Sequence, residues 1–357
     1  MGVMDKIIIH HSTAYDFLAG MYRLNNNEKL IAAKEELELG EKVKFNEDIL
    51  NWVKASRMNL PQEIKDGLDL FFNYESFFGI CLMNDIADKD IKNAVGFISH
   101  IEKLSYASIL SSFLETGYNS DELTIEQVEE MLGSHKEAIS FIEKTITLPS
   151  KQKWELLQFF LDPEGMRNRF LELLRWYNAN IFMHAEKNAE AVVLKQEKEL
   201  EKKLGVYGES YLKLLVDIDY SKSKERRLVI ALSYYYEVSN LRSIRECKGV
   251  DLHLLGYRYP ELIAEGKHAL LSNVSIFKAL ADETRLNIIK LLSERPWYGN
   301  ELAQKLKLSN STISYHMSML TMNGLVETVR EDNKYYFSLN MDNVKKTLCD
   351  ALDNMVK

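Results

Sequence analysis

The chain has 357 residues, 46% of them hydrophobic, and a formal net charge of −8 at pH 7. This length allows two or three domains with sizeable cores, and the acidic balance argues against a general polyanion-binding protein. Met1 to Ala14 lacks the long apolar stretch of a signal peptide, and no window reaches about 18 apolar residues without a charge. We therefore expect a cytoplasmic protein without a membrane span.

Neither the three cysteines nor the adjacent pair of histidines near the start of the chain indicates a metal site. Cys81, Cys247 and Cys349 are far apart and show neither paired metal-ligand spacing nor a disulfide framework. His10 and His11 follow a short apolar run, which is typical of a strand end rather than of a ligand pair. We expect no metal and no cofactor.

From the short apolar run before His10 to about Leu215, the sequence predicts a bundle of eight or more helices. The three prolines of this stretch, Pro61, Pro149 and Pro163, each stand where a helix could begin. Other helix-start signals are the capping box of Thr124 and Gln127 and the N-cap candidates Asn46 and Ser150.

Glu164 to Leu204 is predicted to contain one long helix. Its first half is apolar and aromatic, whereas its second half is charged and keeps only a thin apolar stripe. A mostly solvated helix explains this pattern, and so does a helix that contacts a second copy of the chain or spans two domains. Both interpretations stay open.

The pattern changes between Arg226 and Pro260. RLVIALSYYYEV and DLHLLGYRYP look like two strands around a short helix, Asn240 to Cys247, which suggests a small α/β insert. A connecting helix, Glu261 to Asn273, is expected to follow. The tyrosines of the insert could line an aromatic pocket for a small-molecule effector or could simply pack the strands; they are Tyr234, Tyr235, Tyr236, Tyr257 and Tyr259.

Asn300 to Asn323 is predicted to form two short helices joined by a tight turn. In the second helix Ile313, Met317 and Leu320 form an apolar stripe at helical spacing, which is the expected core face. Two helices so closely connected match a helix-turn-helix, whose second helix lies in the major groove, although an ordinary surface helix pair has the same pattern. The residues at the helix start and away from the core face are Ser309, Asn310, Ser311, Thr312, Ser314, Tyr315 and Ser318.

Leu325 to Asn340 predicts a β-hairpin. Apolar, aromatic and β-branched residues lie on both sides of the polar turn from Glu331 to Lys334. A hairpin directly after a recognition helix is a wing, and its tip would place Arg330 and Lys334 beside the DNA backbone. An ordinary solvated hairpin is the alternative.

Several linked motifs carry a resemblance to a known family. They are ALADETRLNIIKLL, ELAQKLKLSNSTISYHMSML, GLV and NKYYFSL, and together they resemble the winged-helix domain of the ArsR-type (arsenical-resistance repressor) family of bacterial regulators. Asp282 can cap a helix, and Arg285 follows in its first turn, as in the family's Asp-Pro-Thr-Arg pattern. Glu283 stands where the family often has Pro, and Asn333 replaces the usual wing Gly; an acid at a helix start and an Asn in a turn are both favourable.

This resemblance implies a homodimeric, sequence-specific repressor that binds an operator in double-stranded DNA. Its recognition helix (about residues 310–322) would enter the major groove, its wing (about residues 325–339) would contact the backbone, and its half-sites would lie about 34 to 36 Å apart. Metal-sensing members carry paired Cys on the first helix of the helix-turn-helix or Asp and His ligands on the C-terminal helix; this chain lacks both sets. The implied DNA-binding residues are Ser309, Asn310, Ser311, Thr312, Ser314, Tyr315, His316, Arg330 and Lys334.

His316 is the least certain of these residues. It lies about 60° from the centre of the core face, so a half-buried structural role and a phosphate contact are both open.

The DNA-binding segment is not strongly basic. Ser275 to Lys357 carries 11 Lys and Arg against 10 Asp and Glu, a net charge of +1, which leaves −9 for the rest of the chain. Because phosphate neutralisation supplies most non-specific affinity, we expect weak binding to random DNA and a shallow dependence on salt.

The expected fold is mainly α. We predict a helical N-terminal region at 1–225 for dimerisation or effector sensing, a small α/β insert with a connecting helix at 226–272, and a winged helix-turn-helix domain at 273–357. Two alternatives remain: an interaction module whose winged helix no longer binds DNA, and an enzyme that carries a winged helix. The sequence shows no phosphate-binding glycine loop, paired-His helix or Gly-x-Ser-x-Gly elbow, so no catalytic residue is predicted.

Overall fold

The computed structural model describes residues 7–36, 44–114, 123–146, 148–216, 227–245, 250–262, 277, 279–308, 310–322, 325–331, 334–342, 344–346 and 348–349. Most of these residues lie in α-helices, and a four-stranded and a two-stranded sheet complete the described elements. The mainly α prediction is therefore confirmed. No described helix has both the length and the apolar character needed to cross a membrane.

The described elements fall into a long helical part, a sheet and a C-terminal part. The first strand and the helices that follow it are β1 (Ile7–Ile9), α1 (Thr13–Glu36), α2 (Glu47–Met58), α3 (Gln62–Phe71), a 3-10 helix (Phe78–Leu82), α4 (Met83–Asp88), α5 (Ala94–Lys103), α6 (Tyr106–Leu114), α7 (Ile125–Gly133), α8 (His135–Thr145), α9 (Ser150–Leu161), α10 (Pro163–Tyr177), a π-helical turn (Asn178–Phe182) and α11 (Met183–Val216). The remaining elements are β2 (Arg227–Ser233), β3 (Asn240–Arg245), β4 (Val250–Gly256), α12 (Glu283–Leu292), α13 (Gly299–Leu306), α14 (Asn310–Met322), β5 (Val326–Glu331) and β6 (Lys334–Leu339).

Most predicted helix starts are found where the sequence places them. Thr124 and Gln127 form the predicted capping box at the start of α7, and the Asn46 side chain caps α2. The prediction for α9 was wrong by one position. Pro149 is the N-cap there, because its fixed φ suits the residue before a helix, and Ser150 is the first helical residue.

Helix α1 lies at the centre of the bundle core. Its first three turns are buried on every side, and Tyr15 and Phe17 are fully enclosed. The helix kinks at Asn26, whose side-chain amide donates to the carbonyl oxygens of Tyr22 at 2.9 Å and Phe72 at 2.7 Å. A side chain inserted into the helix bonds in this way accounts for the kink.

The four-stranded sheet joins the two ends of the helical part. Its strand order is β1-β2-β4-β3, with β1, β2 and β4 parallel and β3 antiparallel. The strand predicted near Ile8 is thus confirmed, and the helical bundle is the crossover between β1 and β2. Helix α11 covers one face, where Leu200 and Leu204 pack with Leu228 and Ile230. The main bundle core covers the other face.

Of two predictions for the segment after β2, one was wrong and the other falls almost wholly outside the described residues. Asn240–Arg245 is the antiparallel strand β3, not a short helix. Leu241 and Ile244 have helical spacing, but pairing with β4 overrides this local pattern. Cys247, the expected helix end, and nearly all of the connecting helix from Glu261 to Asn273 lie outside the described residues.

The long helix predicted from Glu164 to Leu204 is confirmed and continues to Val216 as α10, the π-helical turn and α11. Gly208, with a φ of 54°, interrupts the helical geometry near its end. Such a left-handed conformation is accessible to Gly at little cost.

The tyrosines of the predicted insert pack against one another and against the bundle. Tyr235 lies 4.2 Å from the Trp52 ring, and Tyr234 stacks on Tyr257 at 5.2 Å between ring centroids. The Asn46 side-chain amide donates to the Tyr257 hydroxyl at 2.9 Å. These contacts correspond to the packing interpretation of the tyrosines.

A buried carboxylate ties α1 to the end of β2. The Asp16 Oδ1 atom accepts hydrogen bonds from the Ser233 hydroxyl at 2.6 Å and from the backbone N–H groups of Tyr234 and Tyr235 at 2.7 and 3.2 Å. Burial raises the pKa of Asp16 to about 6, and the three donors oppose that rise.

His10 and His11 lie directly after β1, as predicted for a strand end. His10 contacts Asp90 through Nε2 at 2.9 Å, and His11 contacts Glu197 through Nδ1 at 3.0 Å and Glu190 through Nε2 at 3.4 Å. The hydrogen bond to Glu197 raises the pKa of His11, and its partial burial opposes the rise. The His11 contacts hold the β1–α1 junction against α11, and the His10 contact holds it against Asp90, which follows α4.

Candidate nucleic-acid interface

Helix α12 begins with the predicted cap. The Asp282 carboxylate accepts from the Arg285 backbone N–H at 2.8 Å, and the Arg285 side chain donates from Nε to the Ala279 carbonyl oxygen at 2.6 Å. Ile288 and Leu292 of the same helix are buried in the core that also contains α13 and α14. The start of α12 is therefore fixed by both local hydrogen bonds and packing.

A tight turn follows α13. Lys307 adopts a left-handed conformation with a φ of 55°, and the Leu308 backbone N–H donates to the Ala303 carbonyl oxygen at 3.0 Å. This ends α13 and allows α14 to begin at Asn310. Ser309, between them, lies outside the described residues. The two helices and their short connection form the predicted helix-turn-helix.

Helix α14 buries its predicted core face. Ile313, Met317 and Leu320 are at most 2% exposed and pack against α12, α13 and the first strand of the hairpin. Met319 is also buried, although it lies about 120° around the helix from Ile313. The apolar stripe did not predict this residue.

His316 is enclosed within the domain. Its Nδ1 atom lies 3.6 Å from the Asp282 carboxylate, and its ring meets the Tyr315 ring edge-on at 5.1 Å. Since Asp282 also caps α12, this contact connects the start of α12 with α14. Burial supports the structural hypothesis for His316, while Thr312 and Tyr315 are half-buried.

The predicted wing is present, and one residue outside it, Trp297, forms an isolated bridge to its second strand. Strands β5 and β6 pair antiparallel from Val326 opposite Leu339 to the turn. Trp297 forms two backbone hydrogen bonds with Phe337, at 3.0 and 2.8 Å. Arg295 stacks over the Trp297 ring at 3.9 Å. This bridge could not be predicted from the sequence, because a single paired residue between two helices has no periodicity.

Eight of the nine predicted DNA-binding residues lie in α14 or in the hairpin. Thr312, Tyr315 and His316 lie in α14 with described side chains. Arg330 and Lys334 lie at the tip end of the hairpin, where Arg330 pairs with Tyr335 and Lys334 pairs with Glu331. Ser309 lies wholly outside the described residues. The same holds for the side chains of five more of the nine, which are Asn310, Ser311, Ser314, Arg330 and Lys334.

The sequence of α14 is rich in hydroxyl residues and poor in charged ones. Its sequence, NSTISYHMSMLTM, contains no Asp, Glu, Lys or Arg. A free helix N-terminus offers backbone N–H groups and a positive dipole end to a phosphate. Ser and Thr hydroxyls can meet either bases or phosphates. The helix can therefore approach DNA without like-charge repulsion.

Within the part of the chain that the structure describes, no three or more His, Cys, Asp or Glu side chains are grouped so that they could hold a metal ion.

Comparison with known proteins identifies the C-terminal domain. Residues 282–328 match the family model of bacterial regulatory proteins of the arsR family. The chain is similar to the HTH-type transcriptional regulator KmtR of Mycobacterium tuberculosis, 32% identical over 81 residues, which are 23% of this chain and 62% of that protein. It is similar to the transcriptional activator HlyU of Vibrio cholerae, 36% identical over 72 residues, which are 20% of this chain and 67% of HlyU.

A third relative is the arsenical resistance operon repressor of Staphylococcus aureus, 38% identical over 66 residues, which are 18% of this chain and 64% of that repressor. The chain thus spans roughly two thirds of the length of these relatives, between 62% and 67%. No solved structure matches the chain. The domain match, the capped α12, the helix-turn-helix and the wing agree with one another, and the chain belongs to the arsR family of bacterial regulatory proteins.

Proposed function

We propose that this protein is a sequence-specific, DNA-binding transcriptional regulator that acts as a homodimer and represses by occupying its operator. The observation that carries the proposal is the helix-turn-helix of α13 and α14 with its wing, in a segment that matches the arsR family. A regulator of this kind works where the chromosome is, so we place its action in the cytoplasm.

Each part of the domain has a proposed role. The N-terminal half of α14 enters the major groove, where Thr312, Ser314 and Tyr315 reach base edges or phosphates. Arg330 and Lys334 contact the backbone beside the groove. The start of the helix, with Ser309, Asn310 and Ser311, binds a phosphate through its N–H groups.

His316 has a different proposed role from its neighbours. The residue is 7% exposed and its ring lies against Asp282, so it positions α14 relative to α12 instead of touching DNA. Such positioning would affect the affinity for every DNA sequence equally, whereas a base contact would affect the preference for one sequence over another.

The helical N-terminal region is proposed to supply the dimer contact or to sense a small-molecule effector. The helices of this region form a large core around α1 together with residues of the sheet, and the Asp16 carboxylate ties α1 to the end of β2.

Fluorescence anisotropy with the full chain tests the proposal. The probes are labelled duplex from just upstream of the protein's own gene and a shuffled duplex of the same length and composition. We expect tight binding to the first and weak binding to the second. The variant Ser314→Ala/Tyr315→Ala should lose the preference, because it removes a hydroxyl and an aromatic ring from the proposed reading face.

The control variant is Ser293→Ala, which removes an exposed hydroxyl at the end of α12, away from the recognition helix. It should bind like the wild type. Equal, weak binding of the wild type to both duplexes would contradict the proposal and favour an interaction module whose winged helix does not read DNA.

A further inference from the structure

A cleft separates the helical bundle from the helix-turn-helix. It has a volume of about 420 Å³ and is lined by the corner between α8 and α9 and by the end of α13 with its turn. The bundle contributes Lys144 and Lys153, and the turn contributes Lys307. Ile146 and Leu148 also line it. The cleft thus brings ammonium groups from two parts of the chain to one concavity.

The charge of this corner differs from that of the region around it. Residues 135–153 carry 4 Lys against 2 Glu, a net charge of +2, whereas the chain outside Ser275 to Lys357 carries −9. Three lysines and a single acidic residue, Glu143, line the cleft. Lys144 and Lys307 are exposed, and the Lys153 ammonium lies 3.5 Å from the Glu143 carbonyl oxygen at the end of α8. A concave surface of one charge sign attracts the opposite charge.

The cleft lies next to the end of the recognition helix that is proposed to enter DNA. Lys307 precedes Asn310, the first residue of α14, by three positions. Since consecutive Cα atoms are about 3.8 Å apart, the two residues are separated by at most about 11 Å. That is close to the Debye length of about 8 to 10 Å at physiological salt, so a phosphate at the start of α14 would feel the charge of Lys307, which lines the cleft together with Lys144 and Lys153.

We propose that this cleft is a second DNA-contacting surface, in which Lys144 and Lys153 of the helical bundle bind phosphates flanking the recognition helix. The inference rests on the proposed function. The lysines of the cleft would supply positive charge, of which the winged-helix segment, with its net charge of +1, has little. It also gives the bundle a part in binding the phosphate backbone of the duplex.

The test compares the full-length wild type with Lys144→Ala/Lys153→Ala. Affinity for the upstream duplex and for the shuffled duplex is measured over a series of salt concentrations. We expect the slope of log K against log salt to fall in magnitude by about 2, because each phosphate contact contributes about 0.9. At low salt the affinity should fall roughly tenfold or more. Both duplexes should weaken by the same factor, because phosphate contacts carry no sequence information.

The matched control is Lys54→Ala/Lys65→Ala. These lysines are exposed on α2 and α3, outside the cleft lining, and their loss changes the net charge by the same amount. The control should keep the wild-type slope. Thermal unfolding checks that all variants are folded, and Lys144→Gln/Lys153→Gln, which keeps more of each side chain, replaces the Ala variant if that variant is unfolded.

Three results overturn the inference. A cleft variant with wild-type slope and affinity, beside a wild type that binds its DNA, removes the cleft's role and leaves the proposed function intact. An equal loss in the control variant shows that only net charge matters. A wild type that binds no duplex contradicts the proposed function and, with it, this inference.

Discussion

Replacing Glu237 by Gln tests the buried ion pair that joins α1 to the sheet. Glu237 is fully buried between β2 and β3, and its carboxylate lies 3.4 Å from the Arg23 guanidinium, which is 2% exposed. The carboxylate also lies 3.1 Å from Arg258 and accepts from the Asn46 backbone N–H at 2.6 Å. The carboxylate therefore accepts hydrogen bonds from Asn46 and Arg258 and forms an ion pair with Arg23, which ties together three parts of the chain.

The expected loss of folding stability follows from the buried charge that Glu237→Gln leaves unpaired. Gln keeps an oxygen that can accept from Asn46, but it removes the charge opposite Arg23, which then remains buried without its principal counter-charge. Removing one partner of a buried ion pair costs about 3 to 5 kcal/mol. Because Arg258 is partly solvated and can relax, we expect the free energy of unfolding to fall by about 3 kcal/mol.

Glu28→Gln is the matched control. Glu28 accepts hydrogen bonds from Arg57 at 2.6 and 3.0 Å, and these bonds lower its pKa to about 2. Its side chain is nevertheless 68% exposed, so solvent screens the pair and the same substitution should cost less than about 1 kcal/mol.

Urea unfolding followed by far-ultraviolet circular dichroism measures both variants. A loss for Glu237→Gln that is no larger than that for Glu28→Gln would refute the reasoning. Arg23→Met/Glu237→Gln should recover part of the loss, because it removes the uncompensated charge.

Three further predictions concern packing, protonation and the DNA-binding domain. Gly256→Ala should destabilise the sheet by about 1 to 3 kcal/mol in urea unfolding, because the new Cβ would overlap the backbone carbonyl of Glu237; Gly133→Ala, where no described heavy atom lies within 4 Å, should be neutral or stabilising. The pKa of Asp16 is raised from 3.8 to about 6, so the folded state binds its proton more tightly and stability falls as pH rises through that interval. Asp16→Asn keeps the acceptor oxygen and should flatten the dependence of Tm on pH there; an unchanged dependence would contradict the assignment. Leu320→Ala opens a cavity in the fully buried winged-helix core and should cost about 2 to 5 kcal/mol and abolish DNA binding, whereas retained binding would show that this core does not hold α14 in place.

The winged helix could be predicted from the sequence because its signals are local. Asp282 caps α12, Ile313 and Leu320 define the buried face of α14, and the hairpin follows from alternating residues around a polar turn. Each of these features depends on residues within a few positions of one another. The same holds for the capping box at Thr124.

The sheet and its buried charges could be predicted only in part, because their partners are far apart in the sequence. Ile8 pairs with Val229 across the whole bundle, and the Arg23 guanidinium meets a carboxylate from the far side of the sheet. No local pattern in the sequence predicts such contacts. Strand β3 was assigned to a helix for the same reason, since only its pairing with β4 distinguishes the two.

The site was predicted at the level of elements and less well at the level of side chains. The stripe of α14 identified which residues face the core, but His316 lay near the boundary and its contact with Asp282 depends on how α12 and α14 pack. Met319 and the bridge between Trp297 and Phe337 were missed because tertiary packing alone determines them.

Selection of binding sites from a pool of random duplex DNA tests the central claim most directly, because it assumes no operator. The full chain is used to capture duplexes over repeated rounds, and Ser314→Ala/Tyr315→Ala is carried in parallel. A protein that reads DNA with α14 should enrich one motif made of two related half-sites with centres about one helical turn apart, and the variant should lose it. A pool that remains random after selection with the wild type, or the same motif enriched by the variant, would contradict the assignment of α14 as the recognition helix.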